Sequence, residues 1–435
     1  MSPPHRRPAP AAGAAGAPSP PRAPLPAAVA VALCLGGLGL FVAVVVARGG
    51  PSVDDAYGVT RPAAAIAAGD LGAAARASIL PQPDGYALLT SPLVAGLRPL
   101  VGTPTWCDAG VPAATRLLLP WCRPGALAGH RWYRSQALLG VLAWLVLAGG
   151  ALRLVRVAGG GGAGEVVVVV VLGAMPGATD GIVETFHPQD IVAVGACCLA
   201  LAEALRRRFV LCGALFGLAF LCKQFALLPM VAALAAAPHW RARRRLALPA
   251  LAVVAGGVVP FLAVDPHGTW STLSAVDAGA AVHLTTGTVV GQTPLSASAK
   301  LLLARDGPVV LALGMAGWAW RRRGASLLAP VPLLGLATAC LAARLVFEVA
   351  FASYYLLEVS TLLVLLDLAA HRLPWRSLGW IVLTGVLVES NGGLPTTAAD
   401  AVWAFLAALA ALAVGMRAVA GPAPVPVPAR ADRVP

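Results

Sequence analysis

The sequence predicts an all-α protein, a polytopic bundle of transmembrane helices. Of its 435 residues, 58% are hydrophobic and only 12% are charged, and the mean hydropathy is +0.79. A water-soluble protein of this size cannot bury so much apolar surface. The apolar residues recur in runs of about 15–22, the length that crosses the hydrocarbon of a bilayer. Backbone amides in lipid must be satisfied within their own segment, so these runs are predicted to be helices.

The basic residues indicate the orientation. The net charge is +13, and arginines cluster between the apolar runs, at 206–208, 241–245 and 321–323. Arginines in short loops are retained in the cytoplasm, so the clusters mark the cytoplasmic side and require no polyanionic partner. We therefore expect a multi-pass plasma-membrane protein that contacts membrane lipid and binds no nucleic acid.

The predicted organisation has three parts. Residues 1–26, rich in Pro and Ala, form a disordered cytoplasmic segment, 27–420 form the transmembrane domain, and 421–435 form a disordered cytoplasmic tail. The first span, 27–47, is a retained signal anchor that leads into a large extracytoplasmic loop, 48–135, with short interfacial helices. About 11–13 helices result, with both termini in the cytoplasm. The further spans are predicted near 136–155, 165–179, 191–206, 246–264, 307–320, 325–345, 350–370, 376–389 and 401–419.

One apolar stretch is interrupted by polar residues. Between the arginine clusters, 209–240 has two apolar halves of about 13–15 residues, separated by Lys223 and Gln224. The halves are either two thin spans or a helical hairpin, and both arrangements return the chain to the same side. An ammonium group between apolar half-helices is costly unless it is paired or solvated, so Lys223 is a functional candidate whose natural partner is an anion such as phosphate. The alternative is a lysine that snorkels to the interface.

Two adjacent acids, Asp54 and Asp55, follow the first span directly. A carboxyl group beside apolar walls has a raised pKa and can accept a proton near neutral pH. The alternative is structural, with Asp54 capping a short interfacial helix. A single cap does not use both acids, so the pair favours a catalytic role.

A second polar group lies in the extracytoplasmic turn 184–190, which contains Glu184, His187, Gln189 and Asp190. These residues are expected to face the same chamber as the paired acids. The alternatives are a solvated turn in which Asp190 caps the next span, and metal ligation by the two acids and the histidine, for which the spacing is unspecific.

A third polar group is the segment 344–358. Arg344 and Glu348 are four residues apart and are expected to pair on a helix. Arg344 could instead hold a phosphate with two parallel hydrogen bonds. Tyr354 and Tyr355 are either aromatic residues of the membrane interface or part of a ligand groove.

The cysteines agree with this topology. Cys107 and Cys122 share the loop 48–135, where oxidation is permitted, and form either a disulfide or two buried thiols. The others lie in apolar runs and are predicted to pack there, with no zinc-site spacing: Cys34, Cys197, Cys198, Cys212, Cys222 and Cys340.

Four segments carry a resemblance to a known family. They are the Asp-containing "VDDAYGVTRPAAAIAAGDL" after the first span, "GYALLTSPLVAGLRPLVG" downstream, the long segment from "HPQDIV" to "CKQFALLP", and "RLVFEVAFASYYLLEVSTLLVLLDL". In order and sidedness they resemble the polytopic GT-C glycosyltransferases that use polyprenol-phosphate sugars. The greatest similarity is to the actinobacterial α-mannosyltransferase group.

The resemblance implies a GT-C type of helix bundle and an extracytoplasmic active site. It implies transfer of a hexose, mannose in that group, from a polyprenyl phosphate donor to a glycan or lipid acceptor of the cell envelope. Asp55 or Asp54 would be the general base, and Lys223 and Arg344 would bind the phosphate. The residues that would position donor or acceptor are His187, Gln189, Asp190 and Tyr354. The scheme requires no cofactor and is compatible with a divalent metal ion.

Two other functions fit some of these features. A secondary transporter of a small anionic or sugar-like solute also uses intramembrane cations and broken helices. Against it, the two halves of the chain show no repeat and the polar groups cluster on one side. The third candidate is a scaffold without catalytic activity.

Overall fold

The computed structural model describes residues 25–48, 56–77, 85–101, 131–183, 186–267, 269–270, 288–348, 353–389 and 398–421. These residues form helices and short connections with no strand among them, so the prediction of an all-α bundle is confirmed. The helices are α1 (Ala27–Ala47), α2 (Ala56–Ala67), α3 (Leu71–Ala77), α4 (Gly85–Val101), α5 (Arg131–Val157), α6 (Ala163–Ala174), α7 (Pro176–Val183), α8 (Pro188–Leu205), α9 (Phe209–Cys222), α10 (Leu227–Ala236), α11 (Trp240–Val264), α12 (Val289–Gln292), α13 (Ala297–Arg323), α14 (Pro330–Phe347), α15 (Leu356–Ala369), α16 (Trp375–Glu389) and α17 (Ala398–Ala420). Short 3-10 helices cover Gln224–Ala226, Gly324–Leu328 and Ser353–Tyr355.

Eight of the described helical segments are long and apolar enough to cross a membrane. They are Ala27–Ala47, Leu138–Val157, Ala163–Val183, Pro188–Leu205, Trp240–Val264, Ala297–Leu328, Pro330–Phe347 and Ala401–Ala420. Their length and composition are compatible with a multi-pass membrane protein. The remaining predicted spans correspond to shorter helices, α9 (14 residues), α10 (10 residues), α15 (14 residues) and α16 (15 residues).

The burial of the long helices separates a centre from a periphery. In α8, 83% of the spanning residues are buried, whereas the figure for α11 is 17% and for α13 is 22%. Large apolar side chains such as Leu251 and Val310 are exposed on these two helices. Exposed apolar surface of this extent is what lipid-facing helices present.

The helices α5 and α8 are in direct backbone contact. A Cβ atom on Gly195 of α8 would lie 2.7 Å from backbone atoms of Val146 and Leu147 on α5. Only glycine allows this approach, which is a common way for membrane helices to pack. The two helices run in the same direction, since Arg153 and Glu203 pair near their C-terminal ends.

The segment 209–240 returns to its starting side, as predicted. The helix α9 ends at Cys222, Lys223 is extended (φ −158°, ψ 132°), and α10 follows the 3-10 turn. Helices α9 and α11 are parallel, because Gly213 faces Leu246 and Gly217 faces Ala250. The short α10 must therefore carry the chain back. It packs mainly on α13 and α14, whereas α9 packs on α8 and α11, so the halves do not form a side-by-side hairpin.

The bundle has two chemically different ends. We call one the arginine end: it carries Arg153, the turn 206–208, the start of α11 and the end of α13. Arg243 of α11 and Trp320 of α13 meet there, with the guanidinium carbon 4.5 Å from the ring centroid. We call the opposite end the site end. The helices α2–α4 lie at the site end, where Gly85 contacts Leu221, and Ala74 and Ala75 pack on Phe261.

Candidate functional site

Six of the eight predicted site residues lie in the described part of the chain, and all six belong to one cluster at the site end. They come from the start of α8, the break after α9, the end of α14 and the 3-10 turn before α15. The six residues are His187, Gln189, Asp190, Lys223, Arg344 and Tyr354. Asp54, Asp55, Glu184, Cys107 and Cys122 lie outside the described residues, so the expectations for them stay predictions.

The first turn of α8 carries three of these residues. His187 is the N-cap and Pro188 the first helical residue, a position that suits proline because its missing N–H would have no partner there. Gln189 and Asp190 follow, and both are fully buried. Asp190 does not cap the helix, contrary to the structural alternative, because the N-cap is His187 and no side chain makes a capping hydrogen bond. Its carboxylate lies in the first turn, where the helix dipole favours negative charge.

An aromatic stack joins α8 to the 3-10 turn. The rings of His187 and Tyr354 are stacked with centroids 4.6 Å apart and planes at 13°. Tyr355 contacts Tyr354 edge-on, at 4.6 Å and 72°. The His187 backbone N–H donates to the Gly181 carbonyl, so α7 also borders the stack. Tyr354 is buried, and hence the interpretation as an interface aromatic is wrong for this residue.

Lys223, at the break after α9, places its ammonium group beside the aromatic stack of His187 and Tyr354. The Lys223 Nζ atom lies 3.2 Å from the Asp190 Oδ2 atom and 6.0 Å from the centroid of the Tyr354 ring. The lysine side chain is 18% exposed and the aspartate 2%. The ammonium group is thus paired inside the bundle, and the snorkelling alternative for Lys223 is wrong.

Arg344 lies between two carboxylates. Its Nε atom donates to Glu348 Oε2 at 3.1 Å, which confirms the predicted pairing four residues apart. Its Nη1 atom donates to Glu358 Oε1 at 2.6 Å. The guanidinium carbon also lies 4.3 Å from the centroid of the Tyr355 ring. These contacts hold Arg344 in one orientation, with its side chain only 14% exposed.

The charged groups form one network. Asp190 pairs with Lys223, which lies beside the Tyr354 ring. Tyr355 joins this ring to Arg344 and so to Glu358. Together with Glu348, these described residues supply three carboxylates and two cations. Both cations therefore already have anionic partners. A phosphate that enters must share or displace a carboxylate, which favours a monoanionic phosphodiester over a dianionic phosphate.

Several buried polar atoms in the cluster have no hydrogen-bond partner within the described chain. They are both amide atoms of Gln189, Asp190 Oδ1 and Glu358 Oε2, whereas Asp190 Oδ2 has the Lys223 ammonium group as its ion-pair partner. Buried polar groups are rarely left in this state, and a group of them marks a place for water or a polar ligand. An amide and two carboxylates can donate to and accept from the hydroxyl groups of a sugar.

Three residues of this region are absent from the sequence prediction. Glu358 is the second partner of Arg344, and Arg48 at the end of α1 pairs with Asp180 of α7. Asp180 is 2% exposed. An acidic residue within an apolar segment is the sequence signal that could have identified it. Arg48 is the last described residue before the segment with Asp54 and Asp55, so the chain leaves α1 at the site end.

The described residues offer no metal site of the usual kind. Within the described ranges no group of three or more His, Cys, Asp and Glu side chains could hold a metal ion. The ligand set Glu184, His187 and Asp190 includes a residue outside those ranges and stays a prediction. The six described cysteines are free thiols, and all except the half-buried Cys34 are buried, as expected of packing residues.

Comparisons with protein-family models, with curated proteins and with solved structures find no match for this chain. The resemblance to the GT-C glycosyltransferases therefore rests on the sequence segments quoted above.

Proposed function

We propose that this protein is an integral-membrane glycosyltransferase that transfers a hexose from a polyprenyl phosphate to an acceptor of the cell envelope. One observation carries the proposal. Side chains from four structural elements, which belong to two of the four segments that carry the resemblance, meet in one buried polar cluster at one end of a membrane helix bundle. Buried charged residues are costly inside a membrane and mark functional sites there.

The position of the cluster fits a lipid-linked substrate. The helix α9 has 14 residues, so Lys223 lies about 21 Å from the arginine end, measured along the axis of this helix. The hydrocarbon of a bilayer is about 30 Å thick. If the arginine end is cytoplasmic, the cluster lies below the extracytoplasmic surface, within reach of a phosphate anchored in the outer leaflet. A donor whose lipid tail stays in the bilayer needs a site that it can reach from within the outer leaflet.

The chemistry is displacement at the anomeric carbon. Asp55 or Asp54 removes the proton from the acceptor hydroxyl, the oxygen forms a bond to the anomeric carbon, and the bond to the phosphate oxygen breaks. The electron pair leaves with polyprenyl phosphate. A well-placed general base contributes about 10²–10⁴-fold to such a step.

The described residues have distinct roles in this scheme. Lys223 is the cation for the departing phosphate, because it has one carboxylate partner, whereas Arg344 is held by two. A preorganised cation stabilises the negative charge as it develops. The Gln189 amide and the Asp190 Oδ1 atom, which have no hydrogen-bond partner among the described residues, bind sugar hydroxyls. Arg344 is a positioning residue that fixes the turn carrying Tyr354.

The test is sugar transfer by purified protein in proteoliposomes with radiolabelled polyprenyl-phosphate hexoses and a cell-envelope extract. We expect transfer from one donor, and a loss of about 10²–10⁴-fold in Asp55→Asn or Asp54→Asn with donor binding retained. Asp70→Asn is the matched control, because Asp70 accepts from the Ala73 N–H as a helix cap and asparagine preserves that role. Absence of transfer from every polyprenyl-phosphate hexose contradicts the proposal, and unchanged transfer in both variants contradicts the choice of base.

A secondary transporter remains the second candidate because of the break at Lys223. Transporters place discontinuous helices and charged side chains around their substrate sites. Uptake of labelled hexose phosphate into proteoliposomes distinguishes the two. Uptake that depends on Lys223, without sugar transfer, would establish the transporter.

A further inference from the structure

We propose that the arginine end carries a binding site for the phosphate group of an anionic phospholipid. The site is formed by Arg153 of α5 and by Arg206 and Arg208 of the turn between α8 and α9, arranged around Glu203. It lies at the opposite end of the bundle from the glycosyltransferase cluster and does not depend on the proposed function.

Glu203 brings the three guanidinium groups together. Arg153 Nη2 lies 3.2 Å from Glu203 Oε1, Arg206 Nη1 lies 3.5 Å from the same oxygen, and Arg208 Nη1 lies 3.6 Å from Oε2. The glutamate side chain is 6% exposed, whereas the arginines are 33–55% exposed. The acid is therefore an internal anchor, and the outward parts of the guanidinium groups are accessible at the surface of the bundle.

The charge of this group is unbalanced. In the described part of the chain, Glu203 is the acid with which these three arginines form ion pairs, so two positive charges remain. Like charges held this close repel one another, and an additional anion relieves the repulsion. Phosphate suits the site because the planar guanidinium group offers two parallel N–H donors that match phosphate oxygens.

The backbone of the turn supports the same ligand. The Arg207 N–H donates to the Ala204 carbonyl at 2.8 Å and the Arg208 N–H to the Glu203 carbonyl at 2.9 Å, so the turn is fixed. Arg208 is the N-cap of α9, and no side chain caps that helix. The positive end of its dipole therefore points to the same place as the arginines.

A lipid fits this site better than a soluble phosphate. Val210 and Leu211 follow Arg208 directly and are 57% and 45% exposed. An acyl chain can cover these side chains while its phosphate contacts the arginines at the helix ends. Basic side chains at this level of a membrane protein attract anionic head groups.

The experiment is native mass spectrometry of the purified protein titrated with dioleoylphosphatidylglycerol or dioleoylphosphatidylcholine. We expect saturable binding of phosphatidylglycerol, weakened about fivefold for each arginine removed and about 30-fold in Arg153→Gln/Arg208→Gln. The matched control is Arg241→Gln/Arg244→Gln on α11, which removes the same charge from exposed positions at the same end. The control should bind within about twofold of the parent protein, because Arg241 and Arg244 do not belong to the group around Glu203 and make no paired guanidinium–phosphate hydrogen bonds there.

Three results would overturn the proposal: equal loss of binding in both double variants, no preference for phosphatidylglycerol over phosphatidylcholine, or equally strong binding of inorganic phosphate at the same concentration. Equal loss in both double variants would indicate that diffuse surface charge binds the lipid. Equal binding of inorganic phosphate would indicate a soluble ligand. If the double variant does not fold, the single Arg208→Gln variant gives the test, because its side chain is 55% exposed and its loss leaves the Arg153 pairing intact.

Discussion

At the scale of single residues, Lys223 and Asp190 depend on each other. Asp190 is buried and Lys223 is half-buried, and each would be an uncompensated charge without its partner. Removing one member of a buried ion pair destabilises a protein by about 3–5 kcal/mol, whereas replacing both with neutral groups costs much less.

We therefore predict that Lys223→Gln and Asp190→Asn each lower the free energy of unfolding by about 3–5 kcal/mol, and that the double variant loses less than the sum. The measurement is a double-mutant cycle by chemical unfolding in detergent. Additive losses would mean that the two groups do not interact.

Arg344 gives a second prediction at this scale. Lysine keeps the charge but cannot bond to Glu348 and Glu358 together or stack on Tyr355, so Arg344→Lys should destabilise by about 1.5–3 kcal/mol. Arg305→Lys is the control, because Arg305 pairs with Asp306 at the surface and is 51% exposed. We expect the melting temperature to fall by several degrees only in Arg344→Lys. Equal changes in Arg344→Lys and Arg305→Lys would contradict the positioning role of Arg344.

At the scale of helices, the close approach of α5 and α8 places the first turn of α8 in the cluster. Gly195→Ala would bring a Cβ atom to 2.7 Å from the α5 backbone, and neither helix can move without disturbing its other neighbours. We predict a loss of about 1–3 kcal/mol by thermal unfolding. Gly149→Ala, with nothing within 4 Å of the added Cβ, should be neutral or stabilising. Similar stability of both variants would contradict the helix contact.

The sequence predicts the helical elements well and their partners poorly. Hydropathy and the interruption at Lys223 indicate the break after α9, because a polar residue in an apolar run is a local signal. The Arg344–Glu348 pair is local too. The Arg344–Glu358 pair joins a helix end to the next helix across a turn, and the Arg48–Asp180 pair spans 132 positions. No local pattern specifies such contacts.

At the scale of the whole molecule, the arginine end and the site end predict an orientation in the membrane. Ser296, the exposed N-cap of α13, lies at the site end, and Arg244 lies at the arginine end. In a background without other cysteines, a membrane-impermeant maleimide should label Ser296→Cys in intact cells and label Arg244→Cys only after permeabilisation. The reverse pattern would place the cluster in the cytoplasm and contradict transfer on the outer face.

The sequence by itself determined that this chain is helical with a composition compatible with a multi-pass membrane protein, where its apolar segments lie, and that its arginines cluster between them. These properties follow from residue type and spacing, because the bilayer acts on each segment separately. Only the tertiary structure decided that Lys223 and Arg344 have carboxylate partners, that the buried Gln189 amide has no hydrogen-bond partner among the described residues, and that Glu203 holds three arginines. Those properties depend on which helices pack together, and the packing is a sum of contacts between residues far apart in the chain.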